Sequence, residues 1–258
     1  MYNPFGFMLT ATFLHAQGIG EVTERRLWDH GYLSWQQVLA ADPSDLPLTD
    51  SQQSLLLPVL EQSVVALEEE NFGFFAHLLP QREHWRAAPK LMDRIGFLDI
   101  ETNGGYSADS ITIIGVYNGD ESRIYVKGKD LEEFESDAEK YALWVTFFGT
   151  GFDIPFLRRR FPHLPLDQLH IDLCPALRRL GYRGGLKRIE QQIGISRDDE
   201  IDGMSGYDAV RLWREWRSRK NQAALDLLIA YNRADIENLA LLLAFTYQRL
   251  KKLSGFPG

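Results

Sequence analysis

The stretch Ile95–Gly104, IGFLDIETNG, decides how this chain is read. An apolar run ends in two carboxylates, Asp99 and Glu101, on either side of one isoleucine. Side-chain direction in a strand repeats every two residues, so a strand here puts both acids on one face and turns Ile100 into a core. Like charges held that close are unfavourable unless a cation stands between them. A divalent ion such as Mg²⁺ or Mn²⁺ takes hard oxygen ligands of this kind. A strand end meeting water, with both acids hydrated, is the other reading that D-x-E alone allows.

Outward from this stretch the hydrophobic period changes. Residues 1–78 read as helical, in ERRLWDHGYLSWQQVLAADP and DSQQSLLLPVLEQSVVALEEENFGFFAHLL. Residues 79–92, with prolines at 80 and 89, read as an extended connection. Beyond Asp93, GFLDIE, SITIIGVYN and SRIYVKG are short β-branched or aromatic runs, and Asn118-Gly119 between two of them signals a hairpin. LEEFESDAEKYA reads as a helix, LWVTFF as a buried strand, FDIPFLRRRF as a helix and LHIDL as a strand, with mostly helix from LRRLG onward. This order predicts an α/β fold over 93–258, a mixed sheet flanked by helices.

The chain has 258 residues, a net charge of −8 and a pI near 5.3. That balance argues against a protein that coats nucleic acid by charge alone, but not against an acidic site neutralised by metal. The single cysteine, Cys174, excludes an intramolecular disulfide and a cysteine-based zinc site, and fits a reducing cytoplasm. No apolar run reaches the ~20 residues needed to span a bilayer, and the first residues lack the pattern of a signal peptide. A cytoplasmic location is expected.

Two later segments carry further acids. In GTGFDIPFLRRRF, Asp153 follows the strand LWVTFFG and opens a helix, where it could equally be an N-cap. In AYNRADIENLALLL, Tyr231 and Asp235 are four apart on one face of an apolar helix, where an unpaired carboxylate would be costly. Tyr231 on its own reads equally well as a core residue.

D-x-E, then F-D, then Y-x-x-x-D, in this order, resembles the tyrosine-bearing subgroup of the DEDD superfamily of 3′–5′ exonucleases, which have a ribonuclease H-like fold. More closely, the chain looks like bacterial ribonuclease H-like proteins related to the family named for YprB. The likeness runs through FFAHLLPQREHWRAAP, DIET, FDIPFLRRRFP, HIDLCPALRRLGYRGGLKRIEQQIGI, GYDAVRLW and YNRADIENL. The resemblance implies two bound Mg²⁺ or Mn²⁺ ions, with Asp99 bridging both and Glu101 and Asp235 on the ion that carries the attacking water. It implies Asp153 on the second ion and Tyr231 as the group orienting that water. One departure stands out: where the family usually reads N-G-x-x-F-D, this chain has Phe148 at the asparagine position.

Basic residues cluster where a phosphate track would run: Arg158, Arg159 and Arg160, then Arg178, Arg179 and Arg183, then Lys187 and Arg188. A solvated helix face is the competing reading. The RGGLK run opens a helix whose first amides could receive a phosphate. The histidines lack ligand spacing, and Trp85, Trp213 and Trp216 read as packing residues. Near the N-terminus, FLHAQGIGEVTERRLWDHGYLSWQQVLAAD resembles a helix-hairpin-helix unit. There Gly18 and Gly20 would let backbone amides approach a DNA phosphate, with Thr23, Arg25 and Arg26 on the next helix; a helical cap packed on the catalytic domain is the alternative.

The expectation is therefore a nuclease acting on DNA or RNA, most simply a 3′–5′ exonuclease releasing nucleoside monophosphates. A nucleic-acid-binding protein with weak or lost catalysis, or an endonuclease using the same metal site, are the competing readings.

Overall fold

The computed structural model describes residues 8–258 and clusters into two compact units. One comprises Met1–Met92 with Asp167–His170 and Tyr247–Gly258; the other comprises Asp93–Leu166 and Ile171–Thr246.

In the first unit, α1 (Glu21–Asp29), α2 (Trp35–Ala40), α3 (Asp50–Glu68) and α4 (Phe72–Leu78) form as their apolar periods predict. Thr49 caps α3 through a capping box, its hydroxyl accepting the Gln52 N–H at 3.2 Å while Gln52 Oε1 accepts the Thr49 N–H at 3.2 Å. Two expectations fail here. The helix expected before Gly18 is absent, because residues 8–17 form only turns, and a helix-hairpin-helix has just its second helix among the described residues. Those turns are held by Glu24, whose Oε1 accepts the Thr12 hydroxyl at 2.9 Å and the Phe13 N–H at 2.8 Å. Residues Gln81–Lys90 form a 3-10 helix rather than an extended connection, with Trp85 and Arg86 buried. The fully buried Arg86 guanidinium makes this segment structural, pairing with Glu24 at 3.0 Å and Glu83 at 2.8 Å.

Five strands make one sheet: β1 (Ile95–Thr102), β2 (Ile111–Tyr117), β3 (Ser122–Val126) and β4 (Leu143–Thr146) of the second unit, and β5 (Leu169–Asp172), whose last two residues belong to it. Their order is β3-β2-β1-β4-β5, antiparallel across β1–β2 and β2–β3 and parallel across β1–β4, so the sheet is mixed. Tyr117 pairs with Ser122 across a four-residue loop in which Asn118 Oδ1 accepts the N–H of Asp120 and of Glu121, as the Asn-Gly signal leads one to expect. The helices are α5 (Glu133–Ala138), α6 (Asp153–Arg160), α7 (Leu173–Arg179), α8 (Leu186–Ile193), α9 (Gly206–Arg219) and α10 (Gln222–Ser254).

Alternation along β1 and β2 divides the core in two. Leu98, Ile100, Ile114 and Val116 pack with Phe134, Trp144, Phe156 and Phe161. On the other face Ile113 and Val126 pack with Trp213, Trp216, Leu225, Leu228 and Tyr231, from α9 and α10. Asp99 and Glu101 have the parity of this second face, so the sheet presents them toward α10.

Candidate metal centre

The register of β1 against β2 shifts between Glu101 and Thr102, where Glu101 faces Ile113 and Thr102 faces Ile111. Such a bulge bends and twists a strand and re-aims its side chains. Just before it stand half-buried Asp99 and buried Glu101. Asp235 comes from α10, one turn after Tyr231, and a carboxylate oxygen from each of Asp99, Glu101 and Asp235 lies within 4.8 Å of the others. Three hard oxygens at that spacing fit a divalent cation.

Asp153 is the first residue of α6 rather than its N-cap, which is Phe152. Its Oδ1 accepts the Ile100 N–H at 3.0 Å, tying the helix start to the strand that carries the acid pair. Burial, reinforced by the neighbouring carboxylates, pushes Asp99 and Glu101 well above the ordinary carboxylate range. Asp153 rises to about 7, chiefly through burial. Asp235 rises to about 6, because burial outweighs the Arg197 guanidinium beside it.

Cations of the chain partly answer this charge. Arg197 pairs with Asp235 at 2.5 Å and bidentately with Glu190 of α8 at 2.7 Å. Lys187, at the start of α8, donates Nζ to the Tyr231 hydroxyl at 2.9 Å and lies 4.2 Å from the centre of that ring. Burial raises the Tyr231 phenol, so it keeps its proton. Asn232 donates Nδ2 to Asp99 Oδ2 at 2.9 Å, and Gly115 makes room for it: a Cβ at 115 would stand 2.0 Å from Asn232 Oδ1. With Glu190, five buried or half-buried carboxyl groups share these two cations, so the site holds more acids than the chain's own cations pair. These residues open onto a cleft of about 760 Å³, also lined by Phe148, Arg178, Gly185, Arg188 and Met204.

Residues 96–247 match the RNase_H_2 family model, described as the RNase H superfamily. The chain belongs to the RNase H superfamily. Among solved structures, the family B DNA polymerase from the hyperthermophilic archaeon Pyrobaculum calidifontis is similar at 17% identity, with a TM-score of 0.45 over 58% of this chain. The chain spans 24% of that polymerase's length. No curated protein matches it. The RNase H superfamily fold agrees with the mixed sheet and flanking helices expected from the element order.

Within this RNase H superfamily domain the expected site residues separate into two groups. Asp99, Glu101, Asp235, Tyr231 and Lys187 line the cleft, and Asp153 stands behind it on Ile100. Arg158 and Arg159 do not line it: Arg158 donates to the Leu166 carbonyl at 2.8 Å and Arg159 lies over the Phe156 ring. The basic side chains of the cleft are Arg178, Lys187 and Arg188 instead. Gly18 has φ +81°, as a tight turn requires, and Gly20 is the N-cap of α1. Glu21 and Glu24 stand in the first turn of α1, and Arg25 and Arg26 donate to the Ser254 carbonyl and Gln52. Asn232, Glu190 and Arg197 join the site without being among the residues expected from the sequence. Asn232 was detectable as a polar residue inside the apolar period of α10; Arg197 sits in a loop with no periodic signal.

Proposed function

We propose that this chain is a metal-dependent nuclease, specifically a 3′–5′ exonuclease of the DEDD type with the tyrosine of that subgroup, using two divalent ions. The observation that carries the reading is the convergence of Asp99, Glu101 and Asp235 to within 4.8 Å, with more buried carboxyl groups than Arg197 and Lys187 can pair. Asp99, Glu101 and Asp235 are the residues that would hold Mg²⁺ or Mn²⁺, with Asp153 contributing charge for a second ion. Bound there, such ions activate a water and neutralise charge on a scissile phosphate.

The chain's own groups supply the rest. Tyr231 remains protonated, so it acts as a hydrogen-bond donor that orients a water rather than as a base. Lys187 occupies one lone pair of that hydroxyl and fixes its direction. Asn232 holds one oxygen of Asp99, leaving the carboxylate a single orientation. Arg178 and Arg188, both exposed at the cleft, supply charge for a phosphate track.

The deciding experiment is a time course on 5′-labelled single-stranded DNA and RNA of equal sequence with Mg²⁺, Mn²⁺ or EDTA. A metal-dependent ladder shortening from the 3′ end, abolished by Asp99→Ala, is the expected result. Full activity in Asp99→Ala would remove the metal assignment. A retained mobility shift without cleavage favours the second reading, a nucleic-acid-binding protein with lost catalysis, which the presence of Phe148 at the cleft supports.

A further inference from the structure

Phe148 sits at the cleft in a conformation that its own packing does not repay. Its φ is +65°, in the left-handed region, where a bulky side chain is a genuine and strained outlier. Burial does not offset this, because 51% of the residue remains exposed. The backbone is held from below by Asp172, whose Oδ1 accepts the N–H of Phe148 at 2.8 Å and of Cys174 at 3.1 Å, while Oδ2 accepts that of Thr150 at 3.0 Å. The ring rests on the backbone at Gly151, where a Cβ would stand 2.8 Å from its ζ carbon. A buried carboxylate and a glycine thus maintain a strained, exposed aromatic ring beside Asp99, Glu101, Arg178, Lys187 and Arg188. Strain persists where the surroundings over-determine it, and an open aromatic face next to cations suits a ligand that is flat on one part and anionic on another.

We propose that Phe148 is a stacking platform for a nucleobase at the 3′ end of a single strand, selecting unpaired ends without reading which base is present. This rests on the nuclease reading of the cleft and adds to it the means of choosing the strand. A base stacked on the ring keeps its hydrogen-bonding edge unread, while Arg178 and Arg188 take the phosphates that follow.

The test uses the full chain and a single-stranded DNA oligonucleotide with 2-aminopurine at its 3′-terminal or its 5′-terminal position, in EDTA and separately in Ca²⁺. Wild type should change the emission of the 3′ probe, and Phe148→Ala and Phe148→Asn should remove that change while weakening binding by roughly 10-fold, the scale of one lost base stack. Phe148→Trp should retain both. Phe148→Asn should melt at or above the wild-type temperature, since asparagine tolerates the left-handed region. Unchanged affinity and emission in Phe148→Asn, with metal-dependent cleavage intact, would overturn this proposal and leave the nuclease reading standing. Unchanged affinity with a lowered melting temperature would assign the ring to packing and overturn it equally. Absence of oligonucleotide binding by wild type in both buffers would overturn both.

Discussion

Arg197 decides how much charge the acid cluster carries at rest. Its guanidinium is almost fully buried and satisfies Glu190 and Asp235 together. Replacing it with methionine takes the cation away from two buried carboxylates and leaves Glu190 only the Asn238 amide, so Arg197→Met should lose ~3–5 kcal/mol of stability in urea or guanidinium unfolding. Arg197→Lys keeps the charge but not the two-nitrogen fork on Glu190, and should recover only part of the loss. Tyr231→Phe makes the opposite separation. The ring stays in the core, so the unfolding midpoint should move little, whereas the cleavage rate should fall by about 10²-fold, the scale of a lost proton-positioning group. Rate against substrate concentration distinguishes this from lost binding: kcat falls and KM does not rise.

At the scale of elements, the approach of β2 to α10 sets the geometry of Asp99. Gly115 is opposite Asp99 in the register, and the space its missing side chain leaves is filled by the Asn232 amide. Gly115→Ala should cost ~1–3 kcal/mol by overpacking, read as a lowered denaturant midpoint at constant slope. Because the collision is with one side chain, Gly115→Ala combined with Asn232→Ala should cost less than the sum of the two single changes. The bulge at Glu101–Thr102 and the Ile100–Asp153 hydrogen bond belong to the same scale, since both aim carboxylates rather than build the core.

For the whole molecule, the raised carboxylates link stability to pH and to metal. The unfolded chain releases the Asp153 and Asp235 protons near the ordinary carboxylate value of about 4. The folded chain holds them to about 7 and about 6. Their contribution to stability is therefore complete below the unfolded value and disappears as pH rises through the folded values. In EDTA the melting temperature should fall between pH 5 and pH 8. Mg²⁺ or Mn²⁺ should raise it more at pH 8, where Asp153 and Asp235 have given up their protons, than at pH 5, where protons compete for the ligands. Differential scanning at three pH values, with and without metal, checks both halves. A metal response that is equal at pH 5 and pH 8 would speak against these carboxylates as the ligands. Among the described residues no helix is long and apolar enough to cross a membrane.

Much of this was legible in local order. The D-x-E parity, the turn at Asn118-Gly119, the one-turn spacing of Tyr231 and Asp235 and the helical periods each depend on a few neighbouring residues. They determine which face a side chain occupies, and so which acids can meet on one side of a sheet. Tertiary structure alone decided what those faces met. It assigned Arg158 to a carbonyl and Arg178, Lys187 and Arg188 to the cleft, although all four are arginines or lysines on or beside short helices. It turned residues 8–17 away from a helix through Glu24, and buried the 3-10 segment around Arg86. It brought Arg197, from an aperiodic loop, onto Asp235, and bent Phe148 into the left-handed region over Gly151. The physical reason is the same throughout: charge pairing and close approach depend on partners distant in the chain, while periodicity records only the direction in which each residue faces.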